Sequence, residues 1–484
     1  MASSRPATWL WAAALVVLSF GTRLPALLDA AATNSDAAVV GLQARHILHG
    51  EWSPFLWGSG YQTSADSTWA AVLFRVFGPT PLVLMLSALA LHVGLTVCVF
   101  YMLRRRMDAP AAFVGSLPLV FTTACVHSYA LYPPREMSLF LAFAAFLALD
   151  SDGLVALAAG GALAVLAVVA DPYASIFVPA AFVLGLFAIL RAPARLRAMG
   201  AFFGGAALAS VALAWLLARP DGKHGVASMG LHVAGHNAKL LWHECLPWAI
   251  GTKIFAPVHV MDYAEWKMPR AYAAFAYFGA TTLAIALVAS AILAVRRPSR
   301  LALVGWLTIV LNIGGFFFSL MVMDQFSMRY LAASVLVLPL VLAPLVAQLG
   351  ALRAAAALAP YLAVAGAAGW IAHGPIRRDA GVVEAHVLDA LEKRHVEAAT
   401  ADYWAAYRLD FLWREAIPVV PYHAEQDRYP PYRARFDAAK RVAYIHDRDR
   451  SFEDEKVGEA EIARGGVIAD RFTWDGFEVV VIDR

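Results

Sequence analysis

Long apolar runs separated by short polar punctuation dominate this chain, and about 20 consecutive apolar residues is the length of a helix that crosses a bilayer. Such runs lie near 8–28, 81–103, 109–129, 136–150, 153–170, 172–190, 198–217, 271–295, 301–322, 330–350 and 354–372, about eleven in all. Only helices can span here, because the bilayer core holds no water to satisfy backbone amides. Composition agrees: 60% of the 484 residues are hydrophobic and 15% are charged. A soluble protein carries about 25% charged residues to cover its surface. The expected fold is an all-α polytopic membrane protein.

Short-loop arginines give the runs a direction. Arg104, Arg105 and Arg106 follow the second run, Arg191, Arg195 and Arg197 the sixth, Arg296, Arg297 and Arg300 the eighth, and Arg353 the tenth. Strict alternation puts every cluster on one side. The N-terminus is therefore expected in the cytoplasm, with loops 30–80 and 218–270 and everything after 373 on the far face. The first run is read as a retained helix rather than a cleaved signal peptide. Residues 1–372 form the membrane module. Residues 373–484, rich in Asp, Glu, Arg and Tyr, form a small water-soluble α/β domain, with helices expected over 384–397 and 402–414 and β-rich runs at Val442–Ile445 and Glu478–Ile482. The aromatics Tyr403, Trp404, Tyr407, Phe411 and Trp413 have helical spacing and are expected in its core, and Arg428–Tyr432 reads as a loop.

Several classes drop out. No basic stripe interleaves with aromatics, so nucleic acid is not an expected partner. Cys98, Cys125 and Cys245 have no disulfide or zinc spacing. In loop 218–270, His232 and His236 are four apart and would share a helix face with His243 or Glu244 nearby, but this is weak metal-ligand spacing. No cofactor or metal is called for; His243 and the neighbouring tryptophans better suit a groove for a lipid or sugar.

The most informative stretch is Asn34–Gly78. Ser35-Asp36 can cap a helix ending at Gly50, whose stripe of Val40 and Ile47 would rest on the membrane surface or the helix bundle. A second amphipathic helix follows from about Ser64, with Asp66 near its start. Each acid is either an N-cap, a common role for Asp, or a catalytic carboxylate at the interface.

The order of pieces resembles the first extracytoplasmic loop of the GT-C glycosyltransferases, in particular bacterial members related to protein mannosyltransferases and aminoarabinose transferases. The matching positions read Asp36-Ala37, Leu48-His49-Gly50, Gly58-Ser59-Gly60-Tyr61, Thr63-Ser64-Ala65-Asp66 and Val76-Phe77-Gly78. The likeness continues at Pro134-Arg135-Glu136, Asp171-Pro172 and Arg329-Tyr330-Leu331. Two positions depart from the pattern: Ala37 replaces the second acid of a pair, and Asp66 stands where the family has the longer Glu.

The resemblance implies a bacterial inner-membrane enzyme that moves a sugar from a polyprenyl-phosphate donor to a lipid, glycan or protein acceptor with inversion. Asp36 would act as general base on the acceptor hydroxyl, with Asp66 as a second catalytic acid. Arg329 and Arg135 would meet the charge growing on the lipid phosphate, with Glu136, Tyr61, Asp171 and His243 as further substrate contacts. For Arg135 the bland expectation is a structural pair with Glu136 or a neighbour, and for Asp171 a cap ahead of Pro172. Two other readings remain open. One is a transporter or flippase of lipid-linked saccharide, which would favour charges and broken helices at mid-membrane. The other is a catalytically silent binding protein on the same fold, for which Ala37 is the argument.

Overall fold

The computed structural model describes residues 5–123, 126, 130–219, 229–259, 262–373, 381–447 and 459–484; Cys125 and His224 lie outside them. The membrane module contains α1 (Arg5–Gly21), α2 (Ser35–Leu48), α3 (Ala65–Phe77), α4 (Pro81–Arg104), α5 (Ala109–Val120), α6 (Glu136–Leu149), α7 (Leu154–Ala170), α8 (Val178–Arg191), α9 (Arg195–Leu217), α10 (Arg270–Arg296), α11 (Arg300–Phe318) and α12 (Leu338–His373). Helix starts follow local chemistry. Thr80, Asp108 and Ser299 each accept a first-turn amide from Val83, Ala111 and Ala302, and Pro81 and Pro110 occupy first-turn positions where no amide is needed.

Each apolar run contains a helix, and the last two fall largely on the halves of α12, which breaks at Gly350 (φ 73°, ψ 172°). Among the described residues, six helices are long and apolar enough to cross a membrane: α4, residues 172–191, α9, α10, α11 and α12. Residues 8–21, α5, α6 and α7 are shorter apolar helices. The outward faces support the same environment. Leu196, Leu208, Val211, Tyr277, Ile285 and Val295 are 63–83% exposed, an apolar surface that water would not tolerate. Close crossings use small residues. A Cβ on Gly205 would lie 2.0 Å from the Ala158 carbonyl oxygen, and one on Gly161 2.3 Å from that of Phe202, so α7 and α9 meet backbone to backbone.

The two ends of the bundle differ chemically. At one end Arg105 and Arg106 pair with Asp150, Arg191 lies 3.9 Å from Asp152, and Arg297 donates to Gln348 at 3.0 Å. The opposite end carries α2, α3 and the C-terminal domain. In loop 218–270 a short hairpin pairs β1 (Phe255–His259) with β2 (Asp262–Glu265).

The C-terminal domain contains α13 (Val382–Glu392), β3 (Ala398–Ala401), α14 (Tyr403–Leu412), β4 (Val419–Pro421), α15 (Pro430–Ala438), β5 (Arg441–Asp447), β6 (Val467–Trp474) and β7 (Phe477–Asp483). Its sheet runs β4-β3-β5-β7-β6. β3 lies parallel to both β4 and β5, and β7 is antiparallel to β5 and β6.

Of the two surfaces expected for the apolar stripe of α2, the helix bundle supplies part, through Val83 and Leu84 of α4, and the C-terminal domain, which was not expected, supplies the rest. Val40 is fully buried, and Ala37, Val39, Val40 and Leu42 join Phe74 of α3 and Tyr403, Tyr407 and Phe411 of α14 in one core. A Cβ on Gly41 would stand 2.7 Å from the Phe411 ring; the missing side chain lets α2 and α14 touch. α3 keeps the surface face, with Val72, Val76 and Phe77 52–68% exposed.

Candidate functional site

Asn34 caps α2, its side chain accepting the Ala37 amide at 2.9 Å. That corrects the expected Ser35-Asp36 cap and leaves the Asp36 carboxylate, 46% exposed, for other contacts. Its Oδ1 accepts the Tyr403 hydroxyl at 2.5 Å and lies 3.9 Å from an Arg428 guanidinium nitrogen. Ala37, where the family has a second acid, is fully buried in the core shared with α14. A carboxylate there would be stripped of water without a charged partner.

Arg135 does form a structural pair: it donates through Nε to Asp171 Oδ2 at 2.9 Å, rather than to Glu136. Asp171 also accepts Gln62 at 2.7 Å, and its Oδ1 takes the Tyr173 amide at 2.8 Å, so it caps the turn opening at Pro172 while pairing with Arg135. The guanidinium lies 4.9 Å from the Tyr173 ring centroid. The Tyr173 hydroxyl donates to the Tyr330 carbonyl at 3.3 Å and accepts the Ala333 amide at 3.0 Å. Arg329 then donates to the Tyr330 hydroxyl at 3.2 Å and lies over its ring.

The loop that carries Tyr61 joins the two halves: the Gly58 carbonyl accepts Arg428 at 3.2 Å, and Gln62 donates to Asp171 at 2.7 Å. Asp36 with Arg428 lies at one end of this short loop, and Arg135 with Asp171, linked through Tyr173 and Tyr330 to Arg329, at the other.

The other three sequence candidates lie elsewhere. Asp66, 6% exposed, accepts the amides of Arg135 at 3.2 Å and Met137 at 3.1 Å. It ties down the first turn of α6 and the strained Arg135 (φ 140°). Burial pushes its carboxyl up to about 7, against those two hydrogen bonds. Glu136 is 1% exposed and turns into the bundle, 3.7 Å from His92. Beyond His92, Arg23 is buried and bonded to the carbonyls of Ser19, Leu119 and Val120. Glu136 thus faces a buried base and arginine. His243 is exposed on the turn Leu241–Cys245. Among the described residues no three His, Cys, Asp or Glu side chains are grouped to hold a metal.

Sequence reading missed Tyr403 and Arg428. Tyr403 looked like one more core aromatic, and its partner lies 367 residues away. The one local signal was Arg428 in a polar loop between Asp427 and Tyr429, which does not indicate its target.

No family model matches the chain, and no curated protein matches it. Among solved structures, ArnT from Cupriavidus metallidurans bound to undecaprenyl phosphate is similar over 99% of this chain and 98% of its own, at 12% identity and TM-score 0.54. The oligosaccharyltransferase of Archaeoglobus fulgidus in complex with Zn and sulfate matches over 90% of this chain and 68% of its own, at 14% identity and TM-score 0.48. The first of these likenesses shows the fold alone: the chain shares that of ArnT over nearly the whole length of both.

Proposed function

We propose that this chain, which shares the fold of ArnT, is a GT-C membrane glycosyltransferase that moves a hexosyl or pentosyl group from a polyprenyl-phosphate donor to a lipid, glycan or protein hydroxyl, with inversion. The observation that supports the reading is one short loop, which holds Arg428, beside the partly exposed Asp36, through Gly58 and holds Asp171, the partner of Arg135, through Gln62. In this reading the acceptor hydroxyl attacks the anomeric carbon and gives its proton to Asp36. The sugar–phosphate bond breaks on the opposite face, and Arg329 and Arg135 meet the negative charge that grows on the leaving lipid phosphate. Asp171 and Tyr173 hold Arg135 in place. ArnT, solved with undecaprenyl phosphate, supports a lipid-phosphate donor.

The same proposal sets the membrane frame. Eleven helical segments cross, counting the halves of α12 separately; the arginine-bearing end is cytoplasmic; and residues 373–484 lie outside the bacterial inner membrane. Purified protein in lipid nanodiscs, supplied with polyprenyl-phosphate sugars, should transfer sugar, and Asp36→Asn should lower kcat by roughly 100-fold or more, as for loss of a general base. Unchanged transfer in that variant would remove Asp36 from the chemistry.

A further inference from the structure

The C-terminal domain reaches Asp36 directly. Tyr403 and Arg428 both address Oδ1: the phenol donates at 2.5 Å and the guanidinium stands at 3.9 Å. Oδ2 has no partner among the described residues, and the side chain is 46% exposed. The two anchoring groups are themselves fixed. Arg428 Nε donates to the Tyr403 hydroxyl at 3.1 Å, and another of its nitrogens donates to the Gly58 carbonyl at 3.2 Å. The Arg428 backbone amide donates to Tyr407 at 2.5 Å. Gly58, with φ +68°, accepts this approach because a Cβ there would fall 2.5 Å from the Arg428 side chain. Tyr403 is 7% exposed, its ring set in the core shared by α2 and α14.

We infer that Tyr403 and Arg428 are positioning residues for the proposed reaction: they anchor one oxygen of Asp36 so that the other is presented to the acceptor hydroxyl. A lone aspartate at a helix start rotates among several rotamers, and a general base must lie within hydrogen-bond reach of the proton it takes. Here a neutral donor and a cation hold Oδ1, which leaves Oδ2 of the partly exposed side chain for the acceptor. The base is therefore assembled from both ends of the chain, Asp36 from the first external loop and its two anchors from the C-terminal domain. Neither anchor changes charge in the step. The acceptor proton passes to Oδ2 as the new C–O bond forms and the sugar–phosphate bond breaks.

This rests on the transferase reading, and a double-mutant cycle separates the two. Tyr403→Phe keeps the ring in its core site and removes only the hydroxyl. Arg428→Gln is the second probe, should the first disturb folding. In either variant kcat for sugar transfer should fall roughly 10-fold with acceptor KM within about threefold of native. In an Asp36→Asn background the same changes should have no further effect on the residual rate. An unchanged kcat, a change confined to acceptor KM, or losses that multiply with Asp36→Asn would overturn the positioning role while leaving Asp36 as base. Full transfer by Asp36→Asn alone would instead remove Asp36 as base and this role with it, whereas no transfer by the native protein would sink the transferase reading itself.

Discussion

Asp66 offers a direct separation of structural from catalytic acids. It resembles Asp36 in sequence context, yet its two oxygens receive one amide each from the chain entering α6, Arg135 on Oδ2 and Met137 on Oδ1. At 6% exposure no water replaces a lost acceptor. Leaving a buried amide without an acceptor costs about 1–3 kcal/mol. Asp66→Ala removes both acceptors and should destabilise by about 2–6 kcal/mol. Asp66→Asn keeps one acceptor oxygen and turns an amide toward the other donor, so it should cost about half as much. Denaturant unfolding in micelles, followed by thiol labelling of the buried Cys98 and Cys245, reads these values. Transfer by the fraction of Asp66→Asn that remains folded should stay within a few-fold of native. A variant of undiminished stability that has lost about 100-fold in kcat would make Asp66 a catalytic residue and refute the capping argument.

Three further outcomes follow from other contacts. Glu384 and Arg408 form a buried pair, with Arg408 also donating to the Ala31 carbonyl at 3.1 Å; Glu384→Gln should cost about 3–5 kcal/mol, and pairing Glu384→Leu with Arg408→Met should restore much of it. His46 bridges Glu51 at 2.6 Å and Glu415 at 2.7 Å. Burial works to lower its pKa, but hydrogen bonds to Glu415 and Glu51 prevail and raise it, while His46 holds both carboxylates below their usual range despite the burial of Glu415. The histidine's share of this tether is complete below about pH 6.5 and is lost as pH rises through its raised value; the carboxylates' share is lost in acid. Proteolysis of the segment around Glu415 should therefore quicken as pH rises through the raised histidine pKa, and His46→Gln should remove that pH dependence. Gly41→Val should destabilise by about 1–3 kcal/mol by pushing α2 off the Phe411 ring, with partial rescue by Phe411→Leu in thermal unfolding.

The sequence disclosed elements better than contacts, for a physical reason. Bilayer thickness sets run length, so the apolar segments were legible, as were α13, α14, β5 and β7. β3, Ala398–Ala401, escaped because its small residues have little strand preference. β4 is only three residues long, and β6 leaves most of its side chains exposed at the sheet edge. The site was half legible. Asp36, Tyr61, Arg135, Asp171 and Arg329 sit in or beside recognisable motifs and are joined through the loop that carries Tyr61. Partner assignment was incomplete where neighbours in sequence diverge in space: Glu136 turns into the bundle while Arg135 turns to Asp171. Asn34 was overlooked as the cap because two further cap-forming residues follow it. Tyr403 and Arg428 could not be found locally, since their role exists only once two distant segments pack.

The shared core of α2 and α14 also places a clock on biogenesis. Asp36 and Tyr403 are separated by 367 residues, so at ordinary synthesis rates roughly 20–70 s elapse before the first loop meets the surface that completes it. Throughout that interval Ala37, Val40 and Phe74 have no lid, and the nascent loop is an apolar surface in search of a partner. A chain halted before the last domain would carry the proposed base yet neither of its anchors, which leaves that base unheld until the whole polypeptide is made.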